Sequence, residues 1–123
     1  MRHPILIDPV WRPLVAIAGG RAANAYLDVG EESLELVFGR FFNETLPRDQ
    51  IATAGVCSWP RFGGIGWRVG RHGTAGLIGS HKNTVEIVLR EPRRVRVALM
   101  PFNCRRIVVS LEDPEVFLVD LGR

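Results

Sequence analysis

The stretch from Trp59 to Asn83, WPRFGGIGWRVGRHGTAGLIGSHKN, holds the densest set of residues able to do chemistry. Seven glycines lie between Phe62 and Ser80, in the company of Arg61, Arg68, Arg71, His72, His81 and Lys82. Glycine-rich loops cradle phosphate when their backbone N–H groups converge at the start of a helix. A dinucleotide fingerprint needs G-x-G-x-x-G, and Gly64, Gly66 and Gly70 are spaced one residue too far, with no helical pattern behind them. GTAGLIGS lacks the lysine of a Walker loop and also lacks the helix. A hairpin fits better. Ile65, Trp67 and Val69 alternate with Gly66 and Arg68, GRHG makes a turn, and TAGLIG returns as a partner strand. On this reading Gly66 and Gly76 mark bulges or sharp bends. Any anion affinity then comes from the cations around the turns, Arg61, Arg68, Arg71, His72 and Lys82.

Nucleophilic and metal chemistry have less to stand on. Cys57, Cys104, His3, His72 and His81 are the candidate ligands, but no C-x-x-C, H-x-H or H-E-x-x-H spacing joins them. Two cysteines are too few for a disulfide framework, and both sit among apolar residues, so buried free thiols are expected. A Cys57 thiol beside a histidine would form a nucleophilic pair, yet no G-x-S-x-G or comparable motif marks a catalytic set. The expectation is a non-enzymatic protein with no metal and no cofactor.

Charge is more informative in its distribution than in its total of +3. Residues 40 to 106 hold 12 Arg or Lys against four Asp or Glu, whereas the stretches on either side are net acidic. A basic middle attracts phosphate, nucleic acid or acidic lipid, and solvated strand faces give the same pattern. Lys82 is the only lysine among 16 cations, as codon bias in a GC-rich genome would also produce. Two basic groups stand out. One is Arg61, Arg68 and Arg71 near Trp59, Phe62 and Trp67; the other is Arg90, Arg93, Arg94 and Arg96, joined by Arg105 and Arg106. Trp67 and Phe38 alternate in step with core residues, while Trp59, just before Pro60, is the better candidate for exposure.

The elements that must position these groups are mostly strands. VEIVLR places Val85, Ile87 and Leu89 on one face, and RVRVAL places Val95, Val97 and Leu99 on one face with Arg94 and Arg96 opposite. EPR between them suits a turn, so the two predict a hairpin. SLELVFG and AYLDV alternate as well, and HPILID, QIATAGV, IGWRV, TAGLIG and RRIVVSL are further short strands. Strands this short with frequent turn signals argue a β-barrel or sandwich. EDPEVFLVDLGR differs: Asp113 is a helix N-cap, Pro114 the first helical residue, Gly122 a stop, and Val116, Phe117, Val119 and Leu121 an apolar surface. A final strand remains the alternative there. No stretch approaches the ~20 apolar residues of a membrane-spanning helix, and a soluble, cytoplasmic protein is expected.

The order LELVFG, LPRDQIA, GIGWRV, NTVEIVLREP, RRIVVSLEDPEVFLVDL resembles small bacterial PH-like domains. The matching pieces are Leu34 to Gly39, Arg48 to Ile51, Gly64 to Arg68, Val85 to Leu89, and Asp113 to Glu115. The VEIVLREP strand is particularly similar to that of actinobacterial proteins of this kind. The resemblance covers about residues 25 to 121 and implies one domain, with residues 1–24 as an N-terminal strand extension before a PH-like core. It departs from a minimal PH-like domain in that extension, and in VALMPFNC, which lengthens the connection before the last strand. The implied fold is all-β and mostly antiparallel, a PH-like barrel or sandwich closed by one short C-terminal helix. The implied role is a binding or interaction module, with a protein partner or self-association through an edge strand. Acidic lipid or nucleic acid is the alternative partner, held by Arg61, Arg68, Arg71, Arg94 and Arg96. A small-molecule carrier or enzyme is the third reading.

Overall fold

The computed structural model describes residues 1–7, 25–38, 42–59, 73–97 and 100–122, and the backbone of 66–69. They form two sheets and one C-terminal helix, mostly antiparallel, with no closed barrel. The first sheet is a meander of β1 (Arg2–Pro4), β2 (Ala25–Val29), β3 (Ser33–Phe38) and β4 (Phe42–Pro47). A single 3-10 turn, Arg48–Gln50, leads into the second sheet. That sheet has the order β5 (Ile51–Val56), β8 (Thr84–Val97), β9 (Met100–Ser110), β7 (Thr74–Ile78), β6 (Gly66–Val69). Its one parallel pair is β7 with β9; all other pairs are antiparallel.

Alternation builds the core. Ala25, Leu27 and Val29 of β2, Leu34, Leu36 and Phe38 of β3, and Phe42 and Leu46 of β4 are buried from one sheet. Val85, Ile87, Leu89, Val95 and Val97 of β8 and Ile107 and Val109 of β9 join them from the other. The helix α1 (Pro114–Leu121) begins as its sequence predicts. The Asp113 carboxylate accepts from the Val116 N–H at 3.2 Å, and Gly122 ends the helix at φ 82°. Eight residues are too few to hold a helix alone, so docking supplies the stability. Phe117 and Leu121 enter the core, but Val116 is 40% and Val119 79% exposed, so only half of the expected apolar surface is used.

The EPR segment is not a turn. Glu91–Arg93 lies inside β8, which runs unbroken from Thr84 to Val97 and pairs with β9 on both sides of an irregularity. Val88 faces Arg106 and Arg93 faces Cys104, so Leu89 to Pro92 bulge opposite Arg105 alone. A bulge tolerates Pro92 because the ladder asks no N–H of it there. The true hairpin joins β8 to β9, with Val97 opposite Met100. MPFNC, expected as connection, is the first half of β9. Strand β4 was not signalled, since FNETLP has only Phe42 and Leu46 on its inner side.

Beside the bulge, β4 and the 3-10 turn run along β8 and tie the sheets together. The Arg96 N–H donates to Glu44 Oε1 at 3.1 Å, Arg93 Nη2 to the Thr45 carbonyl at 3.3 Å, and Arg90 Nε to the Asp49 carbonyl at 2.7 Å. Two glycines mark close approaches of the chain. Gly76 sits in a regular ladder, not at a bulge, opposite Arg68 and Val108, and the Trp59 indole lies over it. A Cβ at Gly79 would collide with the Leu6 carbonyl and the Ile7 Cα where residue 7 bridges to the sheet.

Candidate functional site

Among the described residues two places carry chemistry: an arginine-bearing face on the β8–β9 hairpin, and a cleft between β5 and the start of α1. The hairpin face follows from alternation. Val95 and Val97 are held in the core, which turns Arg94 and Arg96 to solvent, opposite Asn103 and Pro101 of β9. Their Cα atoms are two strand residues apart, about 6.5–7 Å. Among the described residues the ion pairs are Met1–Asp28, Arg2–Asp28 and Arg106–Glu86, with His3 hydrogen-bonded to Asp120, and neither Arg94 nor Arg96 takes part. Arg105 on β9 is exposed as well.

Other arginines of the basic middle are tied to the fold. Arg48 donates to the Gly30 carbonyl at 3.0 Å and to the Leu121 carbonyl at 2.7 Å, which joins the helix C-terminus to the first sheet. Arg106 meets the Glu86 carboxylate at 2.6 Å, and Arg90 and Arg93 hold backbone carbonyls. Of the five arginines singled out in the sequence, the structure brings Arg94 and Arg96 together. The Arg68 backbone stands in β6, at the far edge of the same sheet, three strand spacings or ~14 Å across from β8. The Arg68 side chain, and Arg61 and Arg71 as a whole, lie outside the described residues, as do His72 and the GRHG turn up to His72.

The cleft, about 570 Å³, is walled by Val56–Trp59, by His81, Asn83 and Thr84, and by the first turn of α1 at Asp113–Glu115. Trp59, expected to be exposed, is half-buried against Gly76. Cys57 is pinned by its backbone: its N–H donates to the Thr84 carbonyl at 2.9 Å and its carbonyl accepts from Thr84 Oγ1 at 2.7 Å. Burial pushes the Cys57 thiol up, against the lowering pull of the Thr84 hydrogen bond and the Arg106 charge. Cys57 and His81 therefore share a wall, but His81 Nδ1 is buried without a hydrogen-bond partner among the described residues. A thiol raised by burial stays protonated at neutral pH, the opposite of an activated nucleophile. Both cysteines are free. Cys104 is fully buried, its thiol donating to the Arg106 carbonyl at 3.4 Å, and burial pushes it up to about 11.

His3 is buried and hydrogen-bonded to Asp120, so His3 and His81 serve different regions. Among the described residues no three His, Cys, Asp or Glu side chains are grouped to hold a metal ion. No described helix is long and apolar enough to cross a membrane. No family model, curated protein or solved structure matches this chain.

Proposed function

We propose that the chain is a non-enzymatic binding module of PH-like type that engages phosphate-bearing surfaces through Arg94 and Arg96. The observation that carries this reading is that Arg94 and Arg96 share one exposed strand face and form no ion pair among the described residues, beside other arginines that are hydrogen-bonded into the fold. Guanidinium presents a planar fork that matches phosphate oxygens. The two-stranded support fixes the backbone beneath both forks, so only side-chain order is lost on contact. The two free thiols suit a reducing compartment, and we place the module in the cytoplasm.

The test is co-sedimentation with vesicles of mixed acidic and neutral lipid, and in parallel retention of a single-stranded DNA oligonucleotide, both at low salt. Arg94→Glu/Arg96→Glu is expected to lose at least tenfold in affinity for whichever polyanion the native chain binds, with an unchanged circular dichroism spectrum. Equal binding by the variant, or no binding of either polyanion by the native chain, overturns the reading.

A further inference from the structure

The strand β5 is an edge of the second sheet, and its ladder to β8 fixes where each backbone group points. The Cys57 N–H donates to the Thr84 carbonyl and the Thr84 hydroxyl donates to the Cys57 carbonyl, so both backbone groups of Cys57 face β8, as in a hydrogen-bonded pair. In an antiparallel ladder such pairs alternate with non-bonded ones, so Gly55 also faces β8 while Ala54 and Val56 turn their N–H and C=O groups off the free edge. Neither has a partner on that side among the described residues. Natural sheet edges are shielded by charge, proline or a bulge. From Thr53 to Trp59 the chain has no charged residue and no proline, and the bulge in β5 is over by Thr53. Val56 is 67% exposed, and a Cβ on Gly55 would meet nothing within 4 Å.

This edge opens into the cleft of about 570 Å³ whose far wall is the first turn of α1. Among the described residues the lining includes two carboxylates, Asp113 and Glu115, and no arginine or lysine, on a chain that is otherwise net basic. Asp113 spends Oδ1 on the Val116 N–H, which leaves its second oxygen. We propose that the Ala54–Ser58 edge takes up an extended peptide segment as an added strand, with a lysine or arginine side chain of that segment set toward Asp113 and Glu115. Backbone pairing supplies the affinity in such strand addition and the side-chain site supplies the selectivity. A single chain fits better than the β5 edge of a second copy. The β5 edge of a second copy, residues 53–59, has no charged side chain to set toward Asp113 and Glu115. The site is separate from the Arg94–Arg96 face and does not depend on it.

The test uses amide-resolved NMR of the full chain with two synthetic hexapeptides, acetyl-VTVRVT-amide and its VTVEVT counterpart, titrated to about 5 mM to detect a Kd near 1 mM. The arginine peptide is expected to shift the Ala54 and Val56 amides and slow their hydrogen exchange at least threefold, with the glutamate peptide weaker by at least threefold. Val56→Pro removes the edge N–H and is expected to abolish the effect. Should that variant not fold, Asp113→Asn/Glu115→Gln keeps the helix cap and is expected to erase the preference between the peptides. No response at Ala54 and Val56 overturns the proposal. So does their protection by rising protein concentration without peptide, which would assign the edge to a second copy, and so does equal response to both peptides in the native chain.

Discussion

His3 Nε2 lies 2.7 Å from Asp120 Oδ2, a contact that joins β1 to α1 across 117 residues of sequence. The imidazole is buried and meets the Phe117 ring edge-on, with centroids 5.3 Å apart. The helix is thus held on the core by its apolar anchors Phe117 and Leu121, by this contact, and by the Arg48 bond to the Leu121 carbonyl. Replacing His3 by alanine strands a partly buried carboxylate and empties the space beside Phe117, at a cost of about 2–3 kcal/mol. Asp120→Asn keeps a hydrogen-bonding group and is expected to cost less than half of that. Urea denaturation of the two variants checks the order.

The helix N-terminus offers a second, smaller effect. Asp113→Ala removes the acceptor for the Val116 N–H and is expected to cost about 1 kcal/mol, while Asp113→Asn stays within a few tenths. For a domain of this size the alanine variant should melt about 4 °C lower.

Trp59 reports on the glycine-rich region. A Cβ at Gly76 would come 3.0 Å from Trp59 Cη2 and 3.3 Å from Cζ2. Valine at position 76 is therefore expected to lift the indole, shift its emission to the red and cost about 1–3 kcal/mol. In a Trp59→Phe background the same substitution should leave the emission unchanged.

Cys104 makes stability fall in alkali. Its folded thiol is raised from 9.0 to about 11 by burial, so between those values the unfolded chain gives up a proton that the folded chain keeps. The contribution is full below pH 9 and is lost as pH rises through about 11, an amount of about 2–3 kcal/mol. Cys104→Ala should flatten that part of the profile. The measurement is the urea midpoint of both proteins from pH 8 to 11, with the native chain losing more than the variant.

Much of this fold is legible in the sequence because two periods carry it. SLELVF and, more weakly, AYLDV alternate in sequence and become β3 and β2, and the Asp113, Pro114 and Gly122 signals bound α1. EPR misleads because a proline between charges satisfies a turn and a bulge equally well. The deciding feature is phase: Val85, Ile87, Leu89, Val95 and Val97 share one parity and all are buried, as one continued strand requires. Strand β4 is hidden because its inner residues, Phe42 and Leu46, are four apart and suit either period. The arginine face is local, two residues of one strand, so alternation alone exposes it. The cleft is assembled from residues 56–59, 81–84 and 113–115, and no local pattern brings those three segments together.

The salt dependence of polyanion binding tests the central reading most directly. Log affinity for acidic vesicles or single-stranded DNA should fall linearly with log salt, with a slope set by the number of phosphates neutralised. Arg94→Gln/Arg96→Gln is expected to reduce that slope by about 1–2 and to weaken binding at every salt concentration. A slope identical to that of the native chain would show that the polyanion is held elsewhere, and would contradict the assignment of Arg94 and Arg96 as the contact.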